Sequence, residues 1–503
     1  MNFATTAKNN SNTKLTENGA MAYSTTDNAL VDLFGQIGAL RPRSENDIIA
    51  KFADAMRIDP LMATKMMFYA GNIRGGLGER RTFRVCLQYL AHNYPSIVRA
   101  NIALIPHFNR WDSLFVLVGT SVEQCVWDII KEQLTLDLDG VLKSRDNGKK
   151  VGISLLAKWM PTETAHSAET KKLAKRAISK LGLTPRAYRK MLSTLRAHLN
   201  VVEALMSANK WDEIEYPAVP SYAMKNYRKA FASHDTERFM EYNEQLKKGE
   251  TKINASTLYP YDLVHQYMSK AGYYSRAYVP DDIIEAQWKA LPNYVEGENN
   301  ILVMADVSGS MTGRPMETSI GLATYFAQHN KGDYHGLYMS FTSHPNFINI
   351  EGCSTLASCV SRVASTDMGY STNLNAAFDK ILNHALHNNI SNDELPKALV
   401  VISDMEIDPY FQGGVYGRHG YSFDFVQTQK AKFAAHGYEL PKLVLWNVEA
   451  RNDTFLSKSN EVLLVSGQSP SVFKQLCNNI NGIGAYELMV RTLSDEMYNC
   501  VTI

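Results

Sequence analysis

The chain has few cysteines and no long apolar run, and each shortage argues against a class of protein. Its 503 residues include 6 cysteines, none of which forms a Cys-x-x-Cys pair. We therefore expect neither a zinc site nor a disulfide framework. Free cysteines fit a reducing compartment, and we expect the protein in the cytoplasm. No apolar run approaches the roughly 18 residues of a membrane-spanning helix. The N-terminal residues MNFATTAKNNSNTKLTENGA lack the apolar core of a secretory signal. We expect no membrane partner.

Charge of one sign dominates each half of the chain, although the total net charge is only +1. Residues 28–293 have an excess of Lys and Arg, whereas residues 294–503 have an excess of Asp and Glu. Such asymmetry indicates an anionic partner for the first half. Simple attraction between the two halves is the alternative.

The residue pattern divides the chain into three segments, within the roughly two to four domains that its length allows. Residues 1–27 are rich in Asn, Thr and Ser, which predicts a flexible polar tail or an arm that orders on a partner. Residues 28–293 have helical periodicity, and Asp59-Pro60 and Thr184-Pro185 are typical helix starts, with a capping side chain followed by Pro. Successive short helices without strands predict a HEAT-like α-solenoid.

Residues 294–503 alternate between short apolar runs and helical patterns. The predicted strands are Ile301–Val307, Leu337–Phe341, Phe347–Ile350, Lys397–Asp404, Leu443–Trp446 and Val462–Val465. Predicted helices cover Met316–Gln328 and Leu374–Leu386. This alternation predicts a doubly wound α/β domain with a parallel sheet, and Phe347–Ile350 is expected at its edge.

Polar oxygens stand at the ends of two of the predicted buried strands. Asp306, Ser308 and Ser310 follow the first strand, Asp404 ends a later one, and Thr372 lies in a loop before a predicted helix. Ligands collect at the carboxyl ends of parallel strands. Carboxylates with hydroxyls suit Mg²⁺ or Mn²⁺ rather than zinc. The alternative is that the two acids only cap the following helices, which leaves both serines and the threonine unexplained.

This set resembles the metal-ion-dependent adhesion site of the von Willebrand factor A domain. That site combines Asp-x-Ser-x-Ser with a loop Thr and an Asp after the fourth strand, and the matching residues are Asp306, Ser308, Ser310, Thr372 and Asp404. The resemblance extends from residue 300 to the end. It implies the strand order 3-2-1-4-5-6 of open α/β sheets. It also implies an ion with an open coordination position for an acidic group of a partner.

A glycine-rich segment in the helical half, residues 73–81, is a weak candidate for binding phosphate. It lacks the Gly-Lys-Ser/Thr ending of a nucleotide-binding loop and follows no predicted strand, so a connection between helices is expected. Contact of Arg74, Arg80 and Arg81 with phosphate is the alternative.

The segment from Lys171 to Arg196 is rich in basic residues and contains no acid. Such a concentration of positive charge favours nucleic acid, and Tyr188 lies where it could stack on a base. A solvated helix surface is the alternative. The candidate RNA-binding residues here are Lys171, Lys172, Lys175, Arg176, Arg186, Arg189 and Lys190.

The order of motifs along the whole chain resembles the Ro autoantigen (TROVE) family. The motifs are FYAGNIRGGLGER at residues 68–80, NRWDSL at 109–114 and the late A domain. An uncharacterised group of Ro-like proteins, which the chain resembles more closely, adds LAKWMP at 156–161 and KINA at 252–255. The resemblance implies a ring of helices closed by the A domain. It also implies that the basic helices, as a group, bind small structured RNAs or the ends of misfolded RNAs.

A second glycine-rich loop, QGGVYGRHGY at residues 412–421, follows the predicted metal ligand Asp404. It leaves the metal-bearing end of the sheet, so Tyr416, Arg418 and His419 are candidates to contact a ligand at the ion. The alternative is a surface loop that contacts no ligand. His419 is not expected to bind the metal itself, because Mg²⁺ prefers oxygen.

The leading hypothesis is a non-enzymatic RNA-binding protein, part of a ribonucleoprotein. Its basic helices would hold RNA, and its A domain would use Mg²⁺ to bind an acidic residue of a protein partner. One alternative is a metal-dependent interaction scaffold without RNA. A second is a metal-dependent phosphohydrolase. However, Ser308 stands where haloacid-dehalogenase-type enzymes have a second Asp, and no GxSxG elbow is present at the serines. We expect no catalytic residue.

Overall fold

The protein combines a helical N-terminal part with a C-terminal part built on a β-sheet. The computed structural model describes residues 12–271, 277–364, 372–408, 425–459, 461–480 and 482–503. The predicted combination of an α part and an α/β part is confirmed. None of the described helices is both long enough and apolar enough to cross a membrane.

The described chain begins with a β-hairpin of β1 (Thr13–Leu15) and β2 (Met21–Tyr23), which pair antiparallel. The backbones of Tyr23 and Phe455 exchange hydrogen bonds, with N to O distances of 2.8 and 2.9 Å. Over residues 12–27 the structure thus differs from the expected flexible tail. The C-terminal part supplies backbone partners that an isolated two-stranded hairpin lacks in water.

The regular elements described between residues 28 and 293 are all helical. Both predicted helix starts are confirmed: Asp59 accepts a hydrogen bond from the backbone of Met62 at 2.9 Å, and Thr184 accepts one from Ala187 at 3.2 Å. The helices are α1 (Ala29–Phe34), α2 (Glu45–Ile58), α3 (Pro60–Gly71), α4 (Arg80–Asn93), α5 (Pro95–Asn101), α6 (Ile105–Phe108), α7 (Glu123–Asn147), α8 (Leu156–Trp159), α9 (Ala168–Lys180), α10 (Pro185–Leu199), α11 (Val202–Ser207), α12 (Ser221–His234), α13 (Thr236–Lys248), α14 (Pro260–Ala271) and α15 (Asp282–Lys289).

The described strands of the C-terminal part form a six-stranded mixed sheet. They are β3 (Ile301–Asp306), β4 (Leu337–Phe341), β5 (Phe347–Asn349), β6 (Ala398–Ser403), β7 (Lys442–Asn447) and β8 (Leu463–Ser466). Their order across the sheet is β5-β4-β3-β6-β7-β8, the order that the resemblance implied. The central pair, β3 and β6, is parallel and buried along its whole length.

The edge strand β5 departs from the predicted parallel sheet because it runs antiparallel to β4. Only residues 342–346 join these two strands. A connection this short can reverse the chain but cannot return it to the start of a parallel neighbour.

Helices cover both faces of the sheet, because alternate residues of β3 enter different apolar cores. Val303 and Ala305 belong to a core shared with the helical part, whereas Leu302 and Met304 face a second core. The helices of this part are α16 (Arg314–His329), α17 (Leu356–Ala364), α18 (Leu374–Asn388), α19 (Phe425–Ala434), α20 (Val472–Asn479) and α21 (Ala485–Leu493). The shared core joins the sheet to the helices of the first part.

Candidate metal centre

Two acids meet at the carboxyl edge of the sheet because β3 and β6 are adjacent and parallel. Ala305 pairs with Ile402 in the register of these strands, so Asp306 and Asp404 leave neighbouring strands at the same edge. Each carboxylate residue is only 1% exposed. The structure thus brings together acids that are almost 100 residues apart in the chain.

The turn after β3 holds the two serines of the Asp-x-Ser-x-Ser motif beside Asp306. The backbone N–H of Ser308 donates to Asp306 Oδ1 at 2.9 Å, and a 3₁₀ turn begins at Gly309. This turn brings Ser308 Oγ within 3.2 Å of Ser310 Oγ. The hydroxyl of Ser403, the last residue of β6, donates to Asp306 Oδ2 at 2.5 Å. The predicted carboxylate and both hydroxyls are therefore grouped.

Thr372 is bound to Asp408, in the segment that follows β6. Its backbone N–H and its hydroxyl lie 2.5 and 3.2 Å from Asp408 Oδ2, and Thr372 is buried. Asn373 then caps α18 by accepting a hydrogen bond from Ala376 at 2.9 Å. Sequence reasoning missed Asp408, whose signal is its position just four residues after Asp404.

The electrostatics of the edge favour a cation. Burial raises the pKa of Asp306 to about 7, and the neighbouring charge of Asp404 adds to that rise. Burial also raises the pKa of Asp404 and of Glu406. Several buried carboxylates close together are costly unless a positive charge balances them.

The donor set fits a hard divalent ion. Among the described residues no group of three or more His, Cys, Asp or Glu side chains is arranged to hold a metal. A site here would therefore depend on two carboxylates supplemented by the hydroxyls of Ser308, Ser310 and Thr372. Such oxygen ligands suit Mg²⁺ or Mn²⁺, which keep several waters, and do not suit zinc.

Arg451, which sequence reasoning missed, supplies a positive charge beside this site. Its Nη2 donates to Asp404 Oδ2 at 3.1 Å and also to the backbone carbonyl of Ser310. Its Nε lies 3.2 Å from Glu449 Oε2, and its Nη1 lies 3.4 Å from Glu17 Oε2. The available signal was that Arg451 follows β7, which ends at the same edge of the sheet as β6.

The basic segment forms the surfaces of α9 and α10. Lys171, Lys172 and Lys175 are exposed, and the described residues include no ion-pair partner for them. Arg186 and Lys190 are also exposed, on α10. These residues are available to a ligand.

Other predicted RNA contacts are already engaged within the chain. Arg176 donates to both carboxylate oxygens of Glu123 of α7, from Nε to Oε1 at 2.6 Å and from Nη2 to Oε2. Arg189 lies 3.4 Å from Glu163. The prediction that Tyr188 stacks on a base is wrong, because its ring is buried and its hydroxyl donates to the carbonyl of Pro161 at 2.8 Å.

Residues 73–79 of the glycine-rich segment connect α3 to α4, as expected, and Arg80 and Arg81 begin α4. Arg74 and Arg80 are exposed. Arg81 instead donates a hydrogen bond to the carbonyl of Arg43, in a neighbouring loop, at 2.9 Å. The predicted loop residues Tyr416, Arg418 and His419 lie outside the described residues.

A cluster of guanidinium groups that the sequence did not reveal surrounds Asp112. Arg84 Nη2 and Arg110 Nε each lie 2.8 Å from this carboxylate, and Arg110 stacks on Trp159 at 3.6 Å. Arg80 is exposed as a whole residue, but partial burial of its guanidinium lowers its pKa, and the charges of Arg110 and Arg84 lower it further. The positive charges outnumber the acid, which adds to the basic character of the helical part.

Comparisons with known proteins cover nearly the whole chain. A family model described as "Domain of unknown function (DUF7788)" matches residues 300–492, and one described as "Domain of unknown function (DUF2828)" matches residues 16–110 and 164–300. A curated relative, "Uncharacterized protein L728" of Acanthamoeba polyphaga mimivirus, is 31% identical over 504 residues. The alignment covers 93% of this chain and 85% of that protein.

Proposed function

The chain belongs to the same family as the mimivirus protein L728, and we propose that it is a non-enzymatic, Ro-type RNA-binding protein of the cytoplasm. Its C-terminal part would be a von Willebrand factor A domain that binds Mg²⁺ or Mn²⁺ and captures an acidic group. Its helical part would be a HEAT-like solenoid or ring that holds structured RNA.

The observation that carries the metal function is the pairing of two buried carboxylates with the grouped hydroxyls of Ser308 and Ser310 at one sheet edge. Asp306 and Asp404 would neutralise the ion, and Ser308, Ser310 and Thr372 would bind it directly or through water. The ion would supply a Lewis-acidic position for a carboxylate oxygen of a partner. The strand order supports this proposal, because the edge lies where the order of parallel strands reverses.

Titration with Mn²⁺, followed by electron paramagnetic resonance, tests the metal function. The wild-type chain is expected to bind a single ion, and Asp306→Asn is expected to abolish that binding. Asp379→Asn is the matched control, because Asp379 is an acid on α18 that pairs with Lys432 at the surface. Failure of the wild type to bind Mn²⁺, or equal binding by both variants, would contradict the proposal.

The observation that supports RNA binding is the exposed group of lysines on α9 without an acidic partner among the described residues. Reversal of Lys171, Lys172 and Lys175 to Glu tests it without breaking the Arg176–Glu123 pair. Lys474→Glu, at an exposed lysine on α20, is the control for charge reversal outside α9.

Fluorescence anisotropy with a labelled RNA hairpin gives the readout. We expect the triple reversal to weaken binding by at least about tenfold and to lower the slope of log K against log salt by about 2 to 3. The Lys474 variant should bind almost as the wild type does. An affinity that does not change with salt would count against RNA as the ligand.

A metal-dependent protein scaffold is the second candidate, and the contacts of Arg451 favour it. This arginine and Asn452 already contact a carboxylate, that of Glu17, at the rim of the site. Purification from native cells separates the candidates. Protein partners released by a chelator and unaffected by RNase would favour the scaffold, whereas a discrete RNA reduced by the triple reversal would favour RNA binding.

A further inference from the structure

The N-terminal hairpin delivers an acidic side chain to the rim of the candidate metal centre. Glu17, in the turn between β1 and β2, accepts a hydrogen bond on Oε1 from Asn452 Nδ2 at 2.9 Å. Its Oε2 lies 3.4 Å from Arg451 Nη1. One carboxylate is therefore held by two adjacent side chains that come from the segment after β7.

Several hydrogen bonds from the hairpin turn fix the position of Glu17. Its backbone N–H donates to Glu406 Oε2 at 2.6 Å, and Asn18 Nδ2 donates to the carbonyl of Glu406 at 2.6 Å. On the other side, the hydroxyl of Thr16 donates to the carbonyl of Ile407 at 2.8 Å. The turn is thus seated on the segment that directly follows Asp404.

Arg451 links this carboxylate to the metal ligands. The same guanidinium that faces Glu17 through Nη1 contacts Asp404 and the carbonyl of Ser310 through Nη2. Asp404 and Glu17 therefore share one guanidinium group, so a charge placed at Asp404 acts on the group that holds Glu17.

We propose that Arg451 and Asn452 form a carboxylate-binding subsite on the rim of the metal centre, and that Glu17 occupies it within the same chain. This inference rests on the proposed metal function, in which the ligand is also an acidic side chain. A partner carboxylate that uses this subsite must displace Glu17 and with it the turn between β1 and β2. Binding of a partner carboxylate at this subsite therefore requires release of the hairpin turn.

The sign of the coupling to the metal follows from the charges. A divalent cation bound by Asp306 and Asp404 attracts the nearby carboxylate of Glu17, so the ion and the seated hairpin should stabilise one another. Because such coupling is reciprocal, a variant that loses the Glu17 charge must bind the ion more weakly, and the ion must protect the hairpin.

Two variants in the N-terminal segment, residues 12–27, test the subsite in the full-length chain. Glu17→Gln removes the charge that faces Arg451. Asp27→Asn is the control, because Asp27 pairs with Lys458 and has no contact with Arg451 among the described residues. The readouts are Mn²⁺ affinity and amide hydrogen exchange of residues 12–27, measured in chelator and in Mn²⁺.

We expect Glu17→Gln to weaken Mn²⁺ binding by about fivefold or more and Asp27→Asn to change it by less than about twofold. In chelator, Glu17→Gln should speed exchange in the turn at residues 16–19 more than the control does. In the wild type, Mn²⁺ should slow that exchange.

Equal Mn²⁺ affinity in the two variants, or equal exchange of the turn in chelator, would overturn the subsite while leaving the metal function intact. Absence of Mn²⁺ binding by the wild type would instead overturn the metal function. In that case the exchange in chelator still shows whether Arg451 and Asn452 hold Glu17.

Discussion

Replacement of Asp306 by Asn should have opposite effects on stability in the absence and in the presence of a divalent ion. Without an ion, Asp306 is a buried carboxylate next to Asp404, and its pKa is raised from 3.8 to about 7. In Asn, Oδ1 still accepts from the N–H of Ser308, whereas the bond to Ser403 reverses, because the Ser403 hydroxyl that donates to Asp306 Oδ2 must now accept from Nδ2. The substitution therefore removes a buried charge, and the Ser403 hydroxyl loses its acceptor.

The size of the expected change in the free energy of unfolding follows from the pKa shift of Asp306. A rise of about three units corresponds to about 4 kcal/mol of destabilisation when Asp306 is ionised in both states, at 1.36 kcal/mol per unit. Asp404 shares part of this energy, so we expect Asp306→Asn to be about 2 to 4 kcal/mol more stable than the wild type in chelator at pH 8.

The pH dependence has a definite sign. Because the folded-state pKa of Asp306 is above its unfolded value, its contribution to stability is fully present below about pH 4 and is lost as the pH rises through about 7. The advantage of the variant should thus shrink between pH 8 and pH 4. Saturating Mg²⁺ should stabilise the wild type but not the variant.

Urea denaturation in chelator and in Mg²⁺, at several pH values, measures these differences. Asp379→Asn, at the surface of α18, should change stability by less than about 0.5 kcal/mol at each pH. A destabilised Asp306→Asn in chelator at pH 8, or an advantage that does not vary with pH, would refute this account of the site.

Three further substitutions test other parts of the structure. Ser310→Ala should weaken Mn²⁺ binding by about tenfold or more in a calorimetric titration, and unchanged affinity would remove Ser310 from the metal site. Gly38→Ala should destabilise the fold by about 2 kcal/mol or more in urea, because the added methyl would lie 2.7 Å from the Cα of Gly467; a neutral effect would show that this contact relaxes. Tyr188→Phe should lose about 1 kcal/mol with its hydrogen bond to Pro161 and leave RNA affinity unchanged, whereas a loss of RNA affinity would restore Tyr188 as a base contact.

The sequence was most informative where a local pattern has one structural meaning. Continuous apolar runs predicted β3 and β6 because a strand covered on both faces needs apolar side chains on both. The polar residues that end these runs, Asp306 and Asp404, had to lie at a sheet edge, whereas adjacency of the two strands followed only from the strand order that the family resemblance implied. The helix starts at Pro60 and Pro185 were equally local.

Sequence reasoning failed where the partner of a residue comes from far along the chain. Arg176 was grouped with free lysines, but Glu123, 53 residues away, pairs with it. The role of Tyr188 was predicted from its basic neighbours in the sequence, whereas the helix places its ring in the core. The polar residues near Glu17 resembled a tail, because nothing local indicates that Glu406 will accept a backbone hydrogen bond from it.

By itself the sequence determined which segments are helices and strands, and which oxygen-bearing residues stand at the strand ends, because both depend on the apolar pattern of a few neighbouring residues. Only the tertiary structure decided that Arg451 lies between Asp404 and Glu17, and that residues 12–27 cover the rim of the site. The contact between Arg451 and Glu17 joins residues 434 positions apart, and its geometry exists only after the N-terminal hairpin has packed against the C-terminal part.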